Sequence, residues 1–196
     1  IPARLLADEM SKFLPNRLIV ENRTGSGVLI GTDVVAKAPK DGQTILYTTV
    51  GHAYLPGLFE HLPFDPVADF TPCVFIGQIP MILMVNKDFP AHTLPDLIKL
   101  LRENPGKYDY ASSGNGGAVH LGTELFLHSA GGLQVNHIAF RGSSAATPEV
   151  LSGRIPMIFD VASGVMPYIE RGELRPIAIS TRTRMPYLPN LPTFIE

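Results

Sequence analysis

The chain has one cysteine, Cys73, among its 196 residues. That excludes an intrachain disulfide and a thiolate metal cluster, and Cys73 is expected to be a small buried hydrophobe. Charge of one sign is scarce as well: 16 basic side chains stand against 18 acidic ones, with no run of like charge, for a formal net charge of −2. Such a balance has no electrostatic footprint for nucleic acid or an anionic lipid surface, so no nucleic-acid partner is expected. Long hydrophobic runs are missing too. The longest apolar stretch, Ile79 to Val85, contains Pro80 and falls far short of the roughly 20 residues that cross a bilayer, so the chain is expected to be soluble.

Enzymatic and metal motifs are also absent. There is no Gly-x-Ser-x-Gly elbow, no His-Glu-x-x-His and no Walker lysine, each of which supplies a defined chemistry at a defined spacing. The six histidines, at 52, 61, 92, 120, 128 and 137, contain no i, i+4 pair, so no helical zinc site and no metal or cofactor is expected. Gly25-Ser-Gly27 with Gly31 has the wrong last spacing for a dinucleotide fingerprint. The acid expected about 20 residues on is missing as well, since Thr44 to Thr49 runs into Val50-Gly51. A tight turn into a helix accounts better for these glycines, with Glu21 and Arg23 pairing locally beside it.

What is present is an apolar content of 45% and an orderly periodicity. Pro2 to Leu14 carries a helical apolar stripe, Arg17 to Glu21 and Thr44 to Thr49 read as strands, and Gly31 to Ala38 as a helix between them. Gly51 to Pro72, with four prolines, reads as irregular with a helical turn near Leu58. Val74 to Asn86 is an extended segment about twice the usual strand length and is expected to cross between two lobes. Thr93 caps a helix to Glu103, with Pro95 in its first turn and Asp96 at its positive end. Strands Tyr108–Ser112, Gln134–Ala139, Ile155–Phe159 and Leu174–Ser180 then alternate with helices 118–130, 144–151 and 165–171. Gly131, Gly153 and Gly172 sit where a left-handed residue ends a helix. The fold class expected is α/β, in two lobes, each a mostly parallel sheet flanked by helices, with domain 1 over 1–80 and domain 2 over 81–196. Because the pattern opens inside a helix at Ile1 and closes on a Pro-rich stretch without a last strand, further chain is expected at both ends.

Three loops, Ser112 to Gly117, Arg141 to Ser144 and Asp160 to Gly164, each follow a strand and open a helix. Ligands of open parallel sheets bind beyond the carboxyl ends of the strands, and helix N-termini present unpaired N–H groups with a partial positive charge. Amides of Gly116, Gly117 and Ala118 with the Ser113 hydroxyl form a candidate cradle for a carboxylate or phosphate. His120 lies one turn into that helix, where a packed or surface role is the commoner one. Arg141 either grips a carboxylate or pairs at the surface, and Asp160 either accepts from a solute donor or caps the next helix. A Ser113, His120, Asp160 triad can be imagined but is the weakest of these readings.

The residues also resemble a known family. Val20-Glu-Asn-Arg-x-Gly25, Gly31 with Val35-Ala-Lys-Ala38, Asp41-Gly-x-Thr44-Ile-Leu46, Leu62-Pro-Phe-Asp65-Pro with Asp69-Phe-x-Pro72, and Thr93-Leu with Asp96-Leu97 resemble the Bug-type extracytoplasmic solute receptors of tripartite tricarboxylate transporters. Ser113-Gly-x-Gly116 with His120-Leu121, Phe140-Arg-Gly142, Leu151-x-Gly153, Ile169-x-x-Gly172-x-Leu-Arg175-x-x-Ala178 and Arg184-x-x-x-Leu188-Pro-x-x-Pro192-Thr193 with Glu196 extend the resemblance in order along the chain. The resemblance implies a type II periplasmic-binding-protein fold and a monomeric, non-enzymatic receptor. It would capture a small organic acid, amino acid or related solute in an interdomain cleft and deliver it to membrane components of such a transporter, or to signalling. It implies a periplasmic location and a signal peptide in the full gene. Carried onto this chain, the contacts would be Thr49, Val50, Gly51 and His52 in the first lobe. In the second they would be Ser113, Gly114, Gly116, Gly117, His120, Gly142, Ser143 and Asp160. Two positions depart from the family pattern: Gly117 stands where Ser or Thr is frequent, and Val28 where glycine is. The alternatives are an effector-binding domain of a transcription regulator and, with less support, a serine hydrolase using Ser113.

Overall fold

The structure, a computed structural model, describes residues 2–23, 25 and 28–196. The chain divides into two compact units, Ile1–Val74 and Phe75–Glu196.

The first unit has helices α1 (Pro2–Met10), α2 (Leu29–Ala36) and α3 (Gly51–Leu58). The helical turn expected near Leu58 is a full helix, α3, that starts at Gly51 and tolerates Pro56 near its end. Leu55 on α3 is buried, and Phe64 and Phe70 meet edge to face at 5.8 Å. The Asp65 carboxylate accepts the N–H groups of Val67 and Ala68, each at 2.8 Å, which fixes the turn between them and lowers its pKa. Glu21 and Arg23 form the local ion pair expected of them. Of the glycine loop before α2, Thr24, Ser26 and Gly27 lie outside the described residues.

The strands expected at 17–21 and 44–49 are not formed among the described residues of this unit. Both segments carry no regular structure, and Ile19 and Ile45 are exposed. A composition of β-formers supplies only a preference, since a strand exists when a neighbouring backbone takes its N–H and C=O groups. Cys73 is likewise exposed rather than buried. It lies in residues 71–80, which carry no regular structure and are exposed up to Pro80.

The second unit is a five-stranded sheet of order β3-β2-β4-β1-β5, made of β1 (Met81–Asn86), β2 (Asp109–Ser112), β3 (Asn136–Ala139), β4 (Met157–Val161) and β5 (Leu174–Ile179). Helices α4 (Leu94–Glu103), α5 (Ala118–Ser129), α6 (Ser143–Leu151) and α7 (Ala162–Glu170) alternate with them. β2 pairs parallel with β3 and β4, as the strand–helix alternation requires. β1 runs antiparallel to both neighbours, so four strands share one direction and one opposes it. The segment expected to be extended over 74–86 supplies that strand: only its last six residues pair, and from Ile82 to Asn86 they are buried on both faces, which explains the unbroken apolar run. β5 is an edge strand, where Pro176, which has no N–H to donate, is admitted next to a register shift.

The side-chain alternation of the strands divides the core into two layers. Ile82, Met84 and Ile158 meet Ala146 and Val150 of α6 and Ala162 and Val165 of α7. Leu83, Val85, Met157 and Phe159 meet Leu97 and Leu101 of α4 and Phe126 and Leu127 of α5. α4 begins with a complete capping box: Thr93 accepts the Asp96 N–H and Asp96 accepts the Thr93 N–H. Gly122 lets α5 lie close on β4, because a Cβ there would stand 2.9 Å from the Phe159 ring. At the far end of β1, the buried Asn86 amide donates to the Val150 and Leu151 carbonyls at 2.8 and 3.1 Å and its oxygen accepts the Asp88 N–H at 2.9 Å. That residue ties strand end, turn and the end of α6 together. Gly131, Gly153 and Gly172 all have positive φ, as their helix-ending positions require. Among the described residues no helix is long and apolar enough to cross a membrane, and no cluster of potential ligands could hold a metal ion.

Candidate functional site

Because β2, β3 and β4 run parallel, their carboxyl ends lie along one edge of the sheet, and each feeds a helix: β2 into α5, β3 into α6, β4 into α7. None of these three helices has a side-chain hydrogen bond at its N-cap. The caps are Gly117, Gly142 and Val161, two of which have no side chain to offer. Ser, Thr, Asp or Asn ordinarily occupies that position and satisfies one of the helix's unpaired donors. Here the N–H groups of Gly117, Ala118, Ser143 and Ser144 find no acceptor among the described residues.

Backbone bonds lace the loops together. Phe140 N–H donates to the Ser112 carbonyl at 3.0 Å and Gly142 N–H to the Ser113 carbonyl at 3.1 Å. Gly142 has φ 99° and ψ 161°, a region essentially closed to other residues, and Gly114 has φ 134°. These two glycines permit the close approach. The Ser143 hydroxyl faces Asp160. Ser113, Gly114, Gly116, Gly117, His120, Gly142, Ser143 and Asp160 thus sit in or beside three adjoining loops of one unit. Arg141 is exposed and makes no ion pair among the described residues.

Asp160 is only 1% exposed. One carboxyl oxygen accepts the Val161 N–H at 2.7 Å and the other has no hydrogen-bond partner among the described residues. Burial pushes its pKa up, against the lowering pull of the Ser143 hydroxyl and the Val161 amide. The cap role is not what Asp160 performs, since its bond goes to the N-cap residue rather than to the first turn of α7.

His120 does not reach Ser113. Its Nδ1 accepts the Gly116 N–H at 3.1 Å, and no bond among the described residues joins Ser113 to His120 or His120 to Asp160, so the imagined triad is not assembled. His120 is instead the end of an aromatic stack. Its ring lies 4.1 Å from that of His137, and His137 lies 4.8 Å from Tyr110, both near parallel. Tyr110 donates to the Glu124 carboxylate. His137 Nε2 stands 2.5 Å from the Ser112 hydroxyl, which also accepts the Gly114 N–H at 3.1 Å. Sequence reasoning missed Ser112, His137, Tyr110 and Glu124 as parts of this network. The one signal available was a histidine on a strand, and only the parallel register of Tyr110 opposite His137 gives it meaning.

In the first unit, Thr49 and Val50 are exposed and Gly51 and His52 partly buried. His52 Nε2 lies 2.7 Å from the Pro66 carbonyl, and its ring meets Phe70 edge to face at 5.1 Å, so that ring is committed to holding the neighbouring loop. Thr49 lines a shallow cavity of about 230 Å³ with Arg23, Val28, Thr32 and Tyr47.

A family described as the tripartite tricarboxylate transporter family receptor matches residues 2–196. A protein from the tcbD-tcbE intergenic region of Pseudomonas sp. strain P51 is 35% identical over 99% of this chain and 57% of its own length. Among solved structures, R. palustris Rpa4515 with adipate is 34% identical with a TM-score of 0.85, covering 98% of this chain and 64% of its own. The periplasmic binding protein BugD is 30% identical with a TM-score of 0.81, covering 97% and 64%. The chain therefore spans somewhat under two thirds of the proteins it matches.

Proposed function

The chain belongs to the tripartite tricarboxylate transporter receptor family, and from that membership we propose that it captures a small carboxylate-type solute and presents it to membrane components of such a transporter. The observation that carries the reading is the convergence of three uncapped helix N-termini on one sheet edge. A carboxylate has only acceptor oxygens, and free N–H groups at a helix start supply donors together with a partial positive charge worth roughly 0.3–1 kcal/mol each, up to about 2 when partly buried. A neutral cradle of this kind needs no buried countercharge, in keeping with the even charge balance of the chain. The relative solved with adipate makes dicarboxylates the first solutes to try.

The proposed contacts in the second unit are Ser113, Gly114, Gly116, Gly117, His120, Gly142, Ser143 and Asp160. Those proposed in the first unit, Thr49, Val50, Gly51 and His52, rest on the family resemblance. Ligand capture would be read by the partner through a shift between open and closed populations. A monomer working in the periplasm after removal of a signal peptide completes the reading. The lack of a nucleophile–base hydrogen bond at Ser113 favours a receptor over a hydrolase.

The test is a thermal-shift screen of the full-length protein against mono-, di- and tricarboxylates and amino acids. A ligand at 100 times its dissociation constant stabilises the native state by about 2.7 kcal/mol, so a hit among the acids supports the reading. A well-folded protein that no acid stabilises refutes it.

A further inference from the structure

We propose that His120 and His137 are positioning residues that link solute capture to the uptake of one proton: protonation of the stacked pair frees the Gly116 N–H for the anion. The inference rests on the carboxylate reading above and adds a control to the same loop. A histidine ring nitrogen accepts a hydrogen bond only while it carries no proton, and His120 Nδ1 accepts the Gly116 N–H at 3.1 Å. A second imidazole holds the same loop from beneath, since His137 contacts the Ser112 hydroxyl, which accepts the Gly114 N–H and faces the Gly114 carbonyl at 3.3 Å. Two of the loop's glycines are therefore fixed by two histidines whose rings lie 4.1 Å apart.

The titratable groups facing the pair are the Tyr110 phenol from β2, stacked on His137, and the Glu124 carboxyl from α5, which accepts from that phenol. Burial first, then the hydrogen bond and charge of Glu124, push the phenol up, so it stays neutral. Burial, then the charge of His120, hold the His137 imidazole below the ordinary histidine range, while Glu124 pulls the other way. Two cations at stacking distance repel, so the rings are coupled, and the ring nitrogen of the pair that meets the loop backbone is Nδ1 of His120, at the Gly116 N–H. Once protonated there, two donors face each other across the Gly116 contact and the amide must turn away. An oxygen that accepts from both relieves the conflict, and a carboxylate is such an acceptor. By reciprocity of linkage, a bound anion favours the proton and the proton favours the anion. Histidine changes charge between about pH 5 and 8, so the coupling falls in a range a periplasmic protein meets.

The experiment is calorimetric titration of the full-length protein with adipate between about pH 6 and 8, in two buffers of different ionisation enthalpy, alongside an NMR titration of the ligand-free protein. Expected are uptake approaching one proton per adipate and affinity rising as pH falls, by up to about tenfold per pH unit. In His120→Gln, whose amide oxygen can still accept the Gly116 N–H but does not titrate, proton uptake is lost and the affinity that remains is flat with pH. His137→Gln, which keeps a partner for Ser112, retains binding with a displaced profile. In the ligand-free protein the Gly116 amide resonance follows the titration of the His120 ring. Binding of adipate without proton uptake overturns the proposal, as does a Gly116 resonance indifferent to the His120 titration. If adipate binds at no pH, the titration is repeated with the acid that stabilises the protein in the thermal-shift screen; if no acid does, the carboxylate reading fails by itself, and a Gly116 resonance indifferent to the His120 titration in the ligand-free protein still overturns the proposal.

Discussion

Replacing Gly142 with alanine sets the cradle's geometry against its backbone. Gly142 sits at φ 99° and ψ 161°, where an L-residue is strained by roughly 1–3 kcal/mol. Space is not the obstacle, because the nearest atom to a new Cβ would be the Ser144 hydroxyl at 3.9 Å. The chain then has two choices. It can keep the geometry and lose that energy from its stability, a fall of about 2–4 °C in melting temperature per kcal/mol for a domain of this size. Or it can relax φ, which breaks the Gly142 N–H bond to the Ser113 carbonyl and moves Ser143 away from Asp160. Relaxation transfers the same roughly 1–3 kcal/mol to solute binding, a loss of about 5- to 150-fold in affinity. Thermal melts with and without adipate, paired with calorimetric titration, read both routes. Gly117→Ser is the matched control: Gly117 has φ −78° and ψ 167°, open to any residue, and a serine N-cap adds a few tenths of a kcal/mol relative to glycine. If Gly142→Ala melts and binds as the parent does, the claim that this glycine's conformation builds the site is wrong.

Three further outcomes follow from the second unit. Asn86→Ala removes the amide that serves the Leu151 carbonyl and the Asp88 N–H, and should cost about 1–3 kcal/mol in urea unfolding; a midpoint unchanged from the parent would mean water satisfies those groups. Gly122→Val drives a branched side chain into the Phe159 ring and should cost about 1–3 kcal/mol from overpacking, which a crystal structure would show as displacement of α5 from β4. For Asp160 the folded pKa is raised by burial above an unfolded value of about 3.9. The unfolded chain therefore releases that proton first, and stability declines as pH rises from about the unfolded value through the folded one. Asp160→Asn should remove that decline from a series of urea midpoints taken across acid to neutral pH, and superimposable profiles would contradict the buried carboxyl.

Much of the second unit was legible from residues alone. Thr93 with Pro95 and Asp96 announced α4 and its capping box, and the strand–helix alternation from Tyr108 to Ile179 gave β2 to β5 within a few residues. Gly131, Gly153 and Gly172 marked helix ends because left-handed backbone is costly for any residue with a Cβ. The three strand-to-helix loops were visible for the same local reason, since glycine and serine at a strand end signal a turn.

What the sequence determined by itself was therefore local: which segments prefer helix or extended backbone, where they stop, and which loops have bare amides to offer. Tertiary structure decided what depends on partners distant along the chain. It set β1 antiparallel between β4 and β5, left the segments at 17–21 and 44–49 without regular structure and Cys73 exposed, and gave His120 the Gly116 amide and the His137 ring as partners. The division has a physical cause. Dihedral preference and capping act within about one helical turn, whereas strand pairing, burial and ring stacking are contacts between residues that only the folded chain brings within bonding distance.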